Sequence, residues 1–340
     1  MTDVARGLWR WAVLAGLLIA LAGAATVVGP GDFGLGDVAD VFRRGLAGTP
    51  GLDRAFVILW ELRFPRLVLV ILVGAALAAS GVVTQGMFRN PLAEPGLLGI
   101  SAGAAAAVIL GFAWGLDERA LWVTPALAAG GASIVLALLY LLAGRQASSA
   151  VLLLTGVALS SVAGAVGTCV LSLSLDSWDF SRKALSWMLG SFDGRGWSHV
   201  GWTLPPIVTG LAVAMALHRQ LDVLFLGEET AATMGLRRGR LRVLVALTVG
   251  LLVGASTAAV GVIGFIGLIV PHVARQLVPA GHARVLAASM LLGASLLVVV
   301  DTVTRAITPY HVAPGALTSL VGGSFFVWLL HRRRNEAGSC

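Results

Sequence analysis

The chain has 340 residues, of which 57% are hydrophobic and only 12% are charged, and its formal net charge is +7. A soluble domain is roughly 45–50% apolar and about 25% charged, so this composition excludes an ordinary cytosolic enzyme and a disordered chain. The two cysteines, Cys169 and Cys340, are too few for a disulfide scaffold. The apolar runs are continuous rather than alternating, which predicts an all-α polytopic membrane protein and not a β-barrel.

The apolar segments that are candidates for membrane spans follow one another along the whole chain. A span needs about 20 mostly apolar residues. Ten segments fit or approach this length: 9–28, 66–87, 97–114, 121–143, 151–174, 199–217, 241–260, 263–278, 285–300 and 314–331. The sequence therefore predicts ten transmembrane helices in one domain over residues 1–340.

The segments between the predicted spans differ in length and charge. Residues 29–62 and 175–198 are predicted to lie outside the cell, the first with one amphipathic surface helix near residues 37–44. Residues 218–240 form the one sizeable loop on the opposite side, and they are predicted to contain a short helix between two glycines. An even number of spans places both termini on the same side as this loop.

The charges decide which side faces the cytoplasm. The densest basic clusters, 237–242 and 332–334, fall on the side of the termini, and most acidic residues fall on the other side. Cytoplasmic loops carry an excess of Lys and Arg, so both termini are predicted to be cytoplasmic, in the inner membrane of a bacterium. Because this asymmetry explains the positive net charge, no nucleic-acid partner is expected.

An internal repeat has weak support. Residues 73–91 and 253–271 align without a gap at an offset of 180 residues, with matches mainly at Gly, Ala and Val. Repeated helix bundles are common in transporters, so the alignment suggests two pseudo-symmetric halves.

Motifs for chemistry are scarce. The sequence contains no H-E-x-x-H, C-x-x-C or Walker A pattern, so no metal site and no cofactor are predicted, and any ATP must be bound by another chain. Gly99-Ile-Ser-Ala-Gly103 matches a serine-nucleophile pattern. It opens an apolar helix with no strand before it, so close helix packing is favoured over an intramembrane hydrolase built on Ser101.

One predicted span has a weakly polar face. Ser161, Gly164, Thr168 and Ser172 recur at helical spacing. They would either line a water-filled path for a bulky solute or serve as contacts between helices. Few ionisable residues lie deep in the spans, which argues against an ion-coupled secondary transporter.

Four segments together resemble a known family. They are Arg63-Phe-Pro-Arg66, residues 81–99 with Asn90-Pro-Leu-Ala-Glu-Pro-Gly96, residues 226–236, and residues 261–272 with Gly264-Phe-Ile-Gly-Leu-Ile-Val-Pro-His272. Over about residues 60–332 the chain is similar to the permease subunits of type II ABC importers (FecCD-type), which take up cobalamin, haem and ferric siderophores.

The resemblance implies a transport subunit that is not itself an enzyme. Two permease copies would pair around a central path and bind two ATPase subunits, which hydrolyse ATP. A periplasmic binding protein would deliver the cargo. The expected cargo is an iron chelate, haem or ferric siderophore, and cobalamin is the alternative.

The resemblance also implies roles for individual residues. The candidates for docking the binding protein are Arg63, Arg66 and Arg305. The candidates for coupling to the ATPase are Gly227, Glu228, Glu229, Ala231, Ala232, Met234, Gly235 and Leu236. The candidates for a cytoplasmic gate are Asn90, Leu92, Ser149 and Ala150. The candidates for the translocation path are Gln85, Ser161, Thr168, Ser172, Arg182 and Trp187.

Simpler interpretations stay open for several of these residues. Arg63 and Arg66 would also fit ordinary interfacial anchors. Arg182 would either meet an anionic cargo or pair with Asp179. At the second gate pair the vitamin B12 importer has two hydroxyl residues, whereas here Ser149 is followed by Ala150, so a polar gate there is in doubt.

Overall fold

The computed structural model describes residues 3–29, 31, 33–49, 51, 53–144, 148–174, 178–307 and 312–337. Within these ranges every regular element is a helix, which confirms the predicted all-α class. In chain order the helices are α1 (Asp3–Val27), α2 (Leu35–Leu46), α3 (Arg54–Phe88), α4 (Ile100–Ala113), α5 (Val123–Ala143), α6 (Ser149–Leu173), α7 (Trp178–Met188), α8 (Trp197–Ala216), α9 (His218–Phe225), α10 (Glu228–Thr233), α11 (Arg238–Val260), α12 (Ile266–Leu277), α13 (His282–Ile307) and α14 (Pro314–Ala337).

The ten predicted spans all correspond to helices, but not all of these helices are long. In the described part of the chain, 7 helices are long and apolar enough to cross a membrane: α1, α3, α5, α6, α8, α11 and α13. The other three predicted spans are α4, α12 and the apolar part of α14. A helix of 12 residues such as α12 measures about 18 Å, less than the hydrocarbon core of about 30 Å. The described helices therefore confirm seven spans of full length and not all ten.

The helix that contains the second predicted span starts before that span. Helix α3 begins at Arg54, inside the segment 29–62 that was predicted to lie outside, and Val57–Arg63 forms a π-helical turn. Pro65 follows this turn and has no backbone N–H to donate. The wider π-helical turn allows helix α3 to continue through Pro65 without a break.

The predicted amphipathic surface helix is confirmed as α2. Its Val41 is buried against Phe56, Leu59 and Phe64 of α3, and its Asp37, Asp40 and Arg43 are exposed. This small apolar cluster fixes α2 against the first turns of α3.

Glycine contacts set the packing of the central helices. A Cβ at Gly74 of α3 would lie 2.4 Å from the carbonyl oxygen of Gly293 in α13, and one at Gly81 would lie 2.0 Å from that of Gly267 in α12. Small residues allow helix backbones to approach closely in a membrane, where hydrophobic burial between helices gives little driving force. Helix α3 is thus enclosed by α12 and α13, whereas α6 buries little of its surface.

The two segments of the proposed sequence repeat differ in structure at one pair of aligned glycines. Gly81 lies in the middle of α3, whereas the residue aligned with it, Gly261, has φ +80° and ends α11. Ala, Val and Gly are selected wherever helices pack closely, so such matches arise without equivalent structure.

Candidate functional site

The three predicted docking arginines come together at the start of α3. Arg66 Nε and Nη2 donate to the Asp301 carboxylate of α13 at 3.0 and 2.8 Å, and Arg66 Nη1 donates to Asp193. Arg305, one turn after Asp301, donates from Nε to the same Asp301 carboxylate at 3.1 Å. We name Arg63, Arg66, Arg305, Asp193 and Asp301 the arginine cluster, and this end of the molecule the arginine end.

Arg63 is the most enclosed of the three arginines, with 7% of its surface exposed. It donates to the carbonyl oxygens of Thr26 and Val27, and its guanidinium lies 5.4 Å from the ring centre of Phe33. Arg305 also reaches α1, since its Nη2 donates to the Ala25 carbonyl at 3.2 Å. Both arginines satisfy carbonyl groups that the end of α1 would otherwise leave unpaired.

Arg66 and Arg305 form ion pairs inside the chain. Their positive charges surround a carboxylate, Asp301, whose side chain is only 4% exposed. The sequence predicted that the arginines would share one end of the bundle. It did not reveal that two aspartates already engage them.

The first pair of gate candidates follows the end of α3. Arg89 has φ +48° and ends the helix, and Asn90 Oδ1 accepts a hydrogen bond from the Leu92 N–H at 2.9 Å. Glu94 then reaches across to α12, where its Oε1 accepts from the Phe265 N–H at 2.6 Å. Burial raises the pKa of the Glu94 carboxyl, and the hydrogen bond from Phe265 offsets part of that rise. Glu94 had no role in the sequence analysis, although it belongs to the segment that carried the resemblance.

The second pair of gate candidates begins α6. Ser148 caps this helix by accepting a hydrogen bond from the Val151 N–H at 3.3 Å, and Ala150 is exposed. The side chain of Ser149 lies outside the described part of the structure, as does that of Glu228. The assignment of these positions to a gate stays a prediction.

Two of the path candidates are buried within the single chain, and their assignment to the path stays a prediction. Gln85 is 2% exposed, and its amide donates to the Gly267 carbonyl at 3.1 Å while its oxygen accepts from Arg275. Trp187 is 6% exposed, and its backbone packs against Gly261. The family resemblance suggested the path for both residues, and the close contact of α3 with α12 encloses Gln85 in the single chain.

The remaining path candidates are exposed. Ser161 and Thr168 of α6 donate to carbonyls of their own helix at 3.0 and 2.9 Å, and Ser172 lies further along the helix. We name Ser161, Gly164, Thr168 and Ser172 the α6 stripe. Arg182 is exposed on α7, and no ion pair with Asp179 is present among the described residues.

A cavity of about 370 Å³ adjoins the α6 stripe. Its wall is formed by α4, α6 and the segment after α11, and it includes Ser101, Ser160, Gly164, Glu94 and Phe265. Ser101 lies in the first turn of α4 and not at a strand-to-helix turn, so the geometry of a serine hydrolase is not present there.

The predicted coupling helix is confirmed as a structural element. Helix α10, Glu228–Thr233, lies between Gly227 with φ +118° and Gly235 with φ +80°. Ala231 is buried, Glu229 and Ala232 are exposed, and Met234 is 60% exposed. Leu236 is half-buried. We name this end of the molecule the coupling end; along α3, residues 66 and 89 are about 35 Å apart.

A contact that the sequence did not reveal holds the coupling end. The Asp222 carboxylate of α9 accepts from the His282 N–H at 2.9 Å, and it lies 2.6 Å from His282 Nδ1 at the start of α13. Burial alone would raise the pKa of Asp222, but the hydrogen bonds from His282 outweigh it and lower that pKa. A pocket of about 740 Å³ lies beside this pair, between Phe225, Arg89 and Arg275.

The comparison with protein families decides the assignment. The model described as the FecCD transport family matches residues 12–332. The chain belongs to the FecCD transport family. It is therefore a permease subunit of an ABC importer and a multi-pass membrane protein, and the hydrolysis of ATP belongs to a separate ATPase chain.

Curated relatives of this FecCD-family chain include two permeases for corrinoids. The vitamin B12 import system permease protein BtuC of Yersinia enterocolitica is 40% identical over 285 residues, which are 82% of each chain. The cobalamin import system permease protein BtuC of Halobacterium salinarum is 39% identical over 292 residues, 85% of this chain and 77% of the relative.

A solved structure supports the fold of the FecCD-family chain. It shows an inward-facing conformation of an ABC transporter of the metal-chelate type, with a TM-score of 0.83 and 29% sequence identity. The match covers 94% of this chain and 97% of the other. The family has an ATPase and a substrate-binding protein as partners, as the resemblance of the motifs implied.

Proposed function

We propose that this FecCD-family permease carries a corrinoid of the cobalamin class through the membrane. The observation that supports it is the identity of 40% and 39% with two permeases named for vitamin B12 and cobalamin, over more than four fifths of this chain. This proposal reverses the order of the two cargo classes expected from the sequence.

An iron chelate is the second candidate cargo. It is favoured by the fold match to the metal-chelate type transporter at a TM-score of 0.83. The described residues contain no group of three or more His, Cys, Asp or Glu side chains that could hold a metal ion. A chelated metal needs no such group, because its own chelator supplies the ligands, so this finding does not separate the two cargoes.

We further propose that two copies of this chain pair with their α6 stripes facing a shared path. Helix α6 exposes the stripe together with apolar residues such as Leu154 (70%) and Val162 (62%). A second copy would cover these side chains and enclose the hydroxyl groups, whose bonds to their own helix leave them weakly polar. A path without strong contacts lets a large cargo leave again.

The two ends of α3 then serve different partners. The arginine end would dock the carboxylates of the substrate-binding protein, since guanidinium groups suit carboxylates. The coupling end would place α10 against the ATPase and hence face the cytoplasm, with both termini on the same side. The exposed Met234 gives that contact an apolar centre.

The cargo is tested by ATP hydrolysis in lipid nanodiscs. The permease is co-expressed with its ATPase, and substrate-binding proteins loaded with cyanocobalamin, haem or a ferric siderophore are added, with the unloaded proteins as controls. We expect the strongest stimulation with cyanocobalamin. Stimulation by haem or by the siderophore alone would contradict the corrinoid assignment and support the second candidate.

The pairing is tested by cross-linking in the membrane. We expect Thr168→Cys, in a background with Cys169 and Cys340 replaced by Ser, to give a dimer with a short bis-maleimide. Leu141→Cys on α5, which is 77% exposed, is the matched control and should give none. Equal cross-linking at both positions, or none at Thr168→Cys, would contradict the pairing through α6.

A further inference from the structure

The two carboxylates that bind Arg66 differ in their surroundings. Asp301 receives hydrogen bonds from Arg66 Nε and Nη2 and also from Arg305, and its side chain is 4% exposed. Asp193 receives the remaining Nη1 group of Arg66, and its side chain is 55% exposed. The guanidinium presents its N–H groups in a rigid planar fork, so the position that Asp193 occupies is the one open to an outside carboxylate.

The energetics of the two ion pairs also favour exchange at Asp193 rather than at Asp301. Removing Asp301 would take away the enclosed carboxylate that Arg66 and Arg305 share, which is strongly unfavourable. Exchanging Asp193 for another carboxylate keeps Arg66 paired, and an exposed ion pair contributes little net stability. The local charge is +1 when Arg63, Arg66 and Arg305 are counted against Asp193 and Asp301. It rises by one unit when Asp193 leaves.

Asp193 belongs to a segment that contacts the outer side of the cavity. Its N–H donates to Ser191 Oγ at 3.1 Å, and the Ser191 N–H donates to the Val260 carbonyl at 2.8 Å. A Cβ on Gly190, which has φ +70°, would lie 2.4 Å from the Val262 carbonyl. Val262 and the residues after it form part of the wall of the cavity of about 370 Å³. A change at Asp193 would therefore reach the wall of this cavity through a short, packed segment.

We propose that Asp193 is an internal counterpart of the docking carboxylate: it occupies Arg66 in the free permease and leaves when the binding protein docks. Its departure frees the segment 189–196 from the arginine cluster while Asp301 keeps the arginines in place. Asp193 thus tunes the affinity of docking and links docking to the outer wall of the cavity. This inference rests on the proposed docking role of Arg66.

The test measures the affinity of the binding protein for the permease–ATPase complex in nanodiscs. The probe is the loaded binding protein that stimulates ATP hydrolysis in the assay above. Asp193→Asn should bind it about two- to fivefold more tightly, the range expected for loss of a competing exposed ion pair. Asp193→Glu should restore the original affinity.

A matched control separates this effect from a general gain of positive charge. Asp179→Asn removes an exposed acid from α7, in the same predicted external segment, and should leave the affinity unchanged. An equal gain in Asp179→Asn, or unchanged or weaker binding in Asp193→Asn, would overturn the proposal.

The failure of this inference differs from the failure of the docking assignment. If Arg66→Glu leaves the affinity unchanged, the arginine cluster is not the docking site and both proposals fall. If Arg66→Glu weakens binding while Asp193→Asn does not strengthen it, only the role of Asp193 is wrong.

Discussion

The arginine end and the coupling end of the molecule differ in the kind of surface that each would offer to a partner. At the arginine end the charged groups are already paired inside the chain, and Asp301 is almost fully enclosed. At the coupling end α10 is a helix of 6 residues that leaves Met234 60% exposed. The first end would gain a partner by exchanging ion pairs, and the second by covering apolar surface.

This difference predicts how each contact responds to its surroundings. Exchange of exposed ion pairs changes net energy little and acts mainly on recognition and on the rate of association. Burial of apolar surface gives a non-directional stabilisation that salt does not screen. With the proposed roles, the two ends of α3 would separate recognition of the binding protein from attachment of the ATPase.

The largest effect is expected at Asp301. Asp301→Ala leaves Arg66 and Arg305 enclosed without their shared counter-charge and should lower the free energy of unfolding by about 3–5 kcal/mol. Thermal unfolding of the purified complex measures this. The control is Asp193→Ala, which removes the exposed acid of the same cluster and should change the unfolding temperature little. Similar losses in both variants would show that the two aspartates are equivalent.

The next effect concerns the apolar centre of the coupling end. Met234→Glu introduces a charge where the ATPase is expected to cover the side chain, so association should weaken about tenfold. The amount of ATPase that co-purifies with the permease is the readout. Met188→Glu on α7, at the opposite end, is the control and should retain the ATPase. Retention of the ATPase by Met234→Glu would argue against α10 as the coupling helix.

A smaller and selective effect is expected from salt. The screening length falls from about 10 Å at 0.1 M to about 3 Å at 1 M, so docking of the binding protein should weaken several-fold over that range. Attachment of the ATPase should change much less. Surface plasmon resonance on the complex in nanodiscs compares the two. An equal response at both ends would remove the contrast between them.

The smallest effect is expected from acid at the Asp222–His282 contact. Hydrogen bonds from His282 hold the pKa of Asp222 below its ordinary value, so the contact stabilises the fold above that ordinary value. The stabilisation is lost as the pH falls through the lowered pKa, in the window below about pH 4. Hydrogen exchange of α9 at pH 6 and pH 3 should show the loss. Asp222→Asn should show a smaller loss, because only His282 of this pair then takes up a proton, and an unaltered pH response in this variant would contradict the assignment.

The sequence predicted the helices better than the contacts between them. Helix α10 was predictable because its signals are local. Gly227 and Gly235 flank a short segment that begins with polar residues and ends with apolar ones. The true start of α3 was not, because the π-helical turn before Pro65 depends on packing against α2. Gln85 was placed on the path by the family resemblance, and only the approach of α12 at Gly81 shows that it is enclosed in the single chain.

The sequence by itself determined that this chain is a helical membrane protein of a recognisable transport family. Composition, apolar run length and a few motif segments are properties that one stretch of chain carries alone. The tertiary structure decided which charges meet. Asp193 and Asp301 follow Arg66 in the chain by 127 and 235 residues respectively, and no local pattern relates them to it. Ion pairs depend on distances of a few ångströms between helices, and these distances are fixed only when glycine contacts bring the helices together.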